Sequence, residues 1–153
     1  MSARFMSLIA GAFVVAASVG VWKATAVADE QVAPQRTVLF NITSGKEDLH
    51  RVTMALQLAN HALDDGRSVV LFLNVRAPEL ARADLPADVK FRDNPPTHEM
   101  LQKLVERGAQ LLVCPHCMEV QGVKADELMK GAKVATRATV FDPLDANAVV
   151  FSY

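Results

Sequence analysis

The sequence predicts a single three-layer α/β/α domain built on a mainly parallel sheet of five strands. Three observations carry that reading. Short apolar runs rich in Val, Leu, Ile and Phe end at turn-forming residues, as buried parallel strands do. Between them, apolar side chains recur at steps of three and four, the stripe of a helix lying on a sheet. Strand, helix and strand then follow at the spacing of a βαβ unit, whose crossover is right-handed.

The first strand is Thr37 to Ile42 (TVLFNI). Thr43, Ser44, Gly45 and Lys46 form the turn after it and open a helix whose stripe is Leu49, Val52, Leu56, Ala59 and Leu63. Asp64, Asp65 and Gly66 end that helix, Gly66 being suited to a left-handed cap. The second strand, Ser68 to Asn74, follows at once. From Val75 to Pro96 the pattern breaks under Pro78, Pro86, Pro95 and Pro96, with one helical turn at Glu79 to Arg82. A stretch of this length predicts a lid or an interface loop. Helical spacing returns from His98 to Arg107, on Met100, Leu101, Leu104 and Val105, and stops at Gly108. Gln110 to Cys114 is the third strand. Pro115 suits the first turn of the next short helix, which Gly122 ends. Ala125 to Lys130 is a further helical piece, Lys133 to Thr136 a fourth strand and Ala148 to Ser152 a fifth.

The start of the chain reads as an export signal. Arg4 supplies a positive beginning, Phe5 to Val21 is almost wholly apolar or small, and Ala26-Val-Ala28 is a small-x-small cleavage site before Asp29. Residues 1–28 are therefore a signal peptide and 29–153 the domain, which is large enough for a real core. The alternative is an uncleaved anchor flanked by Trp22 and Lys23, the one case in which the chain meets the membrane. Either way the domain lies outside the cytoplasm, periplasmic or secreted. Without Arg4 and Lys23 it is about three charges to the acidic side. It has no basic patch and no aromatic-and-arginine platform, which excludes nucleic acid as a partner class.

Chemistry concentrates at Cys114 and Cys117, the two cysteines of the chain, within the run Leu111-Leu-Val-Cys-Pro-His-Cys117. A strand-to-helix junction suits thiol chemistry, because helix amides and the helix dipole favour a thiolate. A disulfide closed across two residues adds little unfolded-state constraint, so the pair reads as chemical rather than structural. Open parallel sheets bind ligands beyond the carboxyl ends of their strands. Those ends carry Ser44, Gly45 and Lys46 after the first strand, Asn74 after the second and Cys114 after the third. Lys46 would favour a nearby thiolate, and Ser44 or the loop amides would hydrogen-bond a sulfur anion; alternatively Ser44 and Lys46 only cap and solvate a helix start. His116, inside the pair, would stabilise a thiolate or relay a proton. His50 sits on the first turn of the first helix, where it would face the same edge or simply be a surface residue; His61 and His98 read as ordinary surface residues.

The run Cys-Pro-His-Cys-Met-Glu-Val-Gln-Gly from Cys114 to Gly122 resembles the DsrE/DsrF-like family of sulfur-relay proteins. These carry a cysteine after the third strand, followed by a short helix ending in glycine. The resemblance extends through Leu39 to Leu63, through Asp126 to Gly131 and to Ala148 to Ser152, and it is closest to the exported, two-cysteine branch. It implies a Rossmann-like α/β/α fold and a homo-oligomer, trimer or hexamer. It also implies a relay cysteine carrying sulfane sulfur as a persulfide, matched by Cys114 through its distance to Gly122. Cys117 matches the added cysteine of the exported branch and is the resolving partner, the reversed assignment of the two roles staying open. The implied partners are a small inorganic sulfur donor or a partner thiol protein, and no cofactor is expected. Thr136 to Asn147 departs from the pattern, being Pro-interrupted where relatives have a helix.

Three other readings of the residues stay open. Cys-Pro-His-Cys is also the motif of periplasmic thiol–disulfide oxidoreductases, although here it comes late in the chain, with too little sequence after Cys117 for the distal half of a thioredoxin-like fold. The pair, with His116, would alternatively hold zinc or copper(I) across an oligomer interface, or form an incidental disulfide in a structural module. No metal centre is expected within one chain, because a closed zinc site wants four ligands.

Overall fold

The computed structural model describes residues 36–153; the expected signal segment, residues 1–28, lies outside the described residues. In chain order the elements are β1 (Thr37–Ile42), α1 (Leu49–Asp64), β2 (Ser68–Leu73), α2 (Thr97–Glu106), β3 (Gln110–Val113), α3 (Pro115–Gln121), β4 (Ala132–Val134), α4 (Arg137–Phe141) and β5 (Val149–Ser152). Short 3-10 turns lie at Lys46–Asp48, Ala77–Ala81 and Ala125–Glu127. The strands form one sheet in the order β4-β3-β2-β1-β5, every pair parallel.

That order fixes the layers. From β1 to β4 the chain steps steadily across the sheet, so right-handed crossovers all fall on one face. There Val38, Phe40, Ile42, Leu71, Leu73, Leu111 and Val113 pack under Val52 and Leu56 of α1 and Leu101 and Leu104 of α2, forming the main core. From β4 the chain returns past three strands to pair β5 with β1, over the other face. The alternate side chains Leu39, Val70 and Leu112 are covered there by Ala135, Val140 and Leu144. This third layer is thin. It holds the five-residue helix α4 and the segment that follows, where Pro143 prevents a longer helix.

Caps set the element ends. Asp48 accepts the Arg51 amide at 3.0 Å and starts α1; Gly66, at φ 71°, closes it as expected. The helical piece expected from Ala125 to Lys130 shrinks to one turn, because Leu128 leaves the helix to bridge Arg82. The fourth strand runs Ala132–Val134 rather than Lys133 to Thr136. Thr136 instead caps α4, accepting the Thr139 amide at 3.1 Å.

The first part of the stretch from Val75 to Pro96 is packed into the core rather than lying over it as a lid. Ala77, Pro78, Leu80 and Ala81 are buried, and the backbone is tied to the 127–129 segment by Ala83 N–H to Glu127 at 2.8 Å and Met129 N–H to Ala81 at 2.8 Å. Its proline-broken pattern concealed a compact apolar turn that belongs to the core.

Candidate functional site

The thiol pair stands where β3 becomes α3. Cys114 extends the β3–β2 ladder by one bond, its amide donating to the Leu73 carbonyl at 2.9 Å. It is also the N-cap of α3: its backbone is extended (φ −64°, ψ 118°), and its carbonyl accepts the Met118 amide at 2.9 Å. Pro115 begins the helix at no hydrogen-bonding cost. Buried Met118 fixes the helix to the core, and Gly122, at φ 65°, ends it. One strand end, one proline, one core methionine and one glycine thus hold the two cysteines a single turn apart.

Both thiols are free and partly buried. They lie one helical turn apart, and the Cys117 sulfur accepts the Val75 amide at 3.1 Å. Burial pushes the Cys117 thiol up, and neighbouring Cys114 adds to that; the Val75 amide acts in the opposite direction. Cys117 therefore keeps its proton at neutral pH.

The other residues expected at this edge take different places. Ser44 is buried. Gly45 lies so close to the Val75–Ala77 turn that an added Cβ would sit 2.5 Å from the Arg76 carbonyl. The loop amides hold carboxylates: Gly45 N–H donates to both Glu47 oxygens at 3.0 Å, and Lys46 N–H to Glu79 at 3.1 Å. The Lys46 ammonium pairs with Glu79 at 3.2 Å rather than with a thiol. Asn74 donates to Asn41, which donates to Ser152 at 2.8 Å, a polar ladder across the carboxyl ends of β2, β1 and β5. His116 is exposed, and among the described residues no hydrogen bond or ion pair joins it to either sulfur. His50 stacks on Phe91 with ring centroids 4.4 Å apart.

Two residues that touch the site escaped the sequence reading. Val75 contributes only its backbone, which leaves no side-chain signature. Gln121 donates to the Val75 carbonyl at 2.5 Å; its position four residues after Cys117, on the same helix face, was the available signal. Gln121 also borders a cavity of about 500 Å³ that Lys46, Arg76 and Glu79 line with it. Neither that cavity nor a larger groove of about 680 Å³ between α1 and α2 is lined by a thiol. Among the described residues no group of three or more His, Cys, Asp and Glu is placed to hold a metal ion, and no helix is long and apolar enough to cross a membrane.

Comparison with known proteins bears on the family and the fold. A family model described as the DsrE/DsrF-like family matches residues 36–150. The uncharacterized protein MJ0989 of Methanocaldococcus jannaschii is 33% identical over 96 residues, spanning 62% of this chain and 80% of that protein. Two solved structures share the fold. The YchN protein of E. coli has a TM-score of 0.55 at 16% identity, covering 76% of this chain and 99% of its own. The protein of unknown function MTH1491 of Methanobacterium thermoautotrophicum has a TM-score of 0.59 at 13% identity, covering 78% and 100%.

Proposed function

This chain belongs to the DsrE/DsrF-like family, and from that premise we propose that it is an exported sulfur carrier using Cys114 as the carrier and Cys117 as the resolving thiol. The observation that carries the reading is a pair of free, partly buried thiols one helical turn apart at the strand-to-helix junction, one of them on a backbone amide. Family membership supports a role in sulfur relay; the persulfide, the export and the division of roles are our reading.

The chemistry balances in two steps. The Cys114 thiolate attacks the outer sulfur of a donor persulfide. A bond forms from Cys114 Sγ to that sulfur, the donor S–S bond breaks, and its electron pair leaves on the donor thiolate. Cys117 then loses its proton to solvent, directly or through exposed His116, and attacks Cys114 Sγ. The Cys114–Cys117 disulfide forms and the persulfide bond breaks, its electron pair leaving on hydrosulfide. The carried sulfur is reduced to sulfide, the thiol pair is oxidised, and a thiol reductant resets it. The donor is a small inorganic sulfur compound or a partner thiol protein, entering beside Gln121. Lys46 and the Gly45 amide meet its charge on release from Glu79 and Glu47, with Ser44 and Asn74 at the same strand ends. We place the chain in the periplasm or outside the cell as a homo-oligomer, trimer or hexamer, assembling through the exposed apolar side chains of β5.

Intact mass spectrometry of the reduced domain, before and after a polysulfide donor, tests the reading. The expected result is a gain of one sulfur mass that reductant removes and that Cys114→Ser abolishes, with sulfide release when Cys117 is present. Labelling that persists in Cys114→Ser would reverse the roles. No sulfur gain and no sulfide release would end the carrier reading.

The same thiol pair favours a second reading, a thiol–disulfide oxidoreductase. The reduction potential separates the two: a strongly oxidising pair that oxidises substrate dithiols without releasing sulfide is an oxidase.

A further inference from the structure

We propose that Gln121 is a positioning residue for the thiol pair, holding the Val75 backbone so that its N–H receives negative charge on the Cys117 sulfur.

The inference starts from an unfavourable conformation. Val75 has φ 53°, a left-handed conformation that a β-branched residue adopts only at a cost. Its side chain is 57% exposed, so packing does not compensate. The backbone on either side explains how the conformation is imposed. Asn74 N–H donates to Ile42, Arg76 N–H to Thr43 and Ala77 N–H to Asn74, at 3.0, 3.0 and 2.9 Å. The turn is thus tied to the end of β1 before and after Val75, and Val75 is left facing α3.

Helix α3 takes both of its backbone polar groups. Val75 N–H goes to the Cys117 sulfur at 3.1 Å, and Val75 C=O accepts from the Gln121 side chain at 2.5 Å. Cys117 and Gln121 are one turn apart on the same face, so a single helix face grips a single residue from both sides. A neutral thiol is a weak acceptor, whereas an N–H to a thiolate is a charge-assisted bond of about twice the ordinary strength. The arrangement is therefore worth most when Cys117 carries charge, as attacking thiolate or as leaving group when the disulfide is reduced. Among the described residues Cys114 is the titratable group acting on Cys117, the other influences being burial and the Val75 amide.

This assignment takes its biological use from the sulfur-carrier reading, but its test does not. In a Cys114→Ser background, where serine is itself a good N-cap, Cys117 is alkylated with iodoacetamide across a pH series, with and without Gln121→Met. Methionine keeps the length of the side chain and removes the donor; Gln121→Ala serves as the second variant. The expected result is alkylation about threefold to tenfold slower below the midpoint, a rise in midpoint of about half to one pH unit. Adding Val75→Gly, which accepts the left-handed conformation freely, should return the midpoint toward the parent. A lower melting temperature with an unmoved midpoint would make Gln121 merely structural and overturn the proposal, as would an unmoved midpoint in both variants. Failure of the sulfur-mass assay leaves this result standing, and an unmoved midpoint leaves that assay intact.

Discussion

At Cys117 burial and a neighbouring thiol push the proton affinity one way while a backbone amide pushes it the other, and the first two prevail. The sign has a consequence for stability. With its affinity above the ordinary thiol value of 9.0, the folded chain binds this proton more tightly than the unfolded chain. The contribution is fully present below pH 9 and is lost as pH rises through the folded value. The urea midpoint of the reduced protein should therefore fall more steeply above pH 9 than that of Cys117→Ser. Parallel curves for the two proteins would contradict the sign. Cys114 differs from Cys117 by one helical turn, yet Cys117 alone meets the Val75 amide. That asymmetry is the physical basis for giving the two cysteines different roles.

At the scale of elements, the site is a meeting of three turns, and Gly45 shows how tightly they meet. Its amide holds Glu47, and an added Cβ would come within 2.5 Å of the Arg76 carbonyl and 2.8 Å of Glu79. Sequence reading valued Gly45 for its amide; the structure values it for its missing side chain. Gly45→Ala should cost about 1–3 kcal/mol, because the β1–α1 turn must separate from a backbone that cannot yield. Since the same backbone carries Val75, the substitution should also alter the rate of Cys117 alkylation. Denaturation and alkylation measured together check both effects. Unchanged stability would show that the turn relaxes without cost.

Across the whole molecule the sheet has two unlike edges. At one, β4 is short; at the other, β5 exposes Val149, Val150 and Phe151, with Phe151 stacked on Phe40 at 5.5 Å. Among the described residues no strand covers β5, and a parallel edge with apolar side chains on both faces invites pairing. Val150 lies on the thin-layer face, so a charge there spares the main core. Val150→Lys should convert the assembly to single-chain mass in light scattering at micromolar concentration, leaving the melting temperature of the isolated chain within about 0.5 kcal/mol of its parent in stability terms. A wild-type domain that already runs as one chain would sink the oligomer proposal.

What the sequence by itself determined is the βαβ start, the parallel sheet and the cysteine pair on a short helix closed by Gly122. These follow from local signals, namely apolar runs, helical spacing, and residues such as Pro115 and Gly66 that favour one conformation wherever they stand. Tertiary structure decided the rest. The Val75–Pro96 stretch reads as a loop because its prolines break periodicity, yet Leu80 is fully buried, a fact that depends on what packs against it. Lys46 looks poised for a thiol until Glu79 arrives from 33 residues away. The Val75 amide bears no side chain to read, and its approach to Cys117 exists only once β1, β2 and α3 have met. Local propensity is written residue by residue; a partner distant in sequence is chosen only by the folded chain.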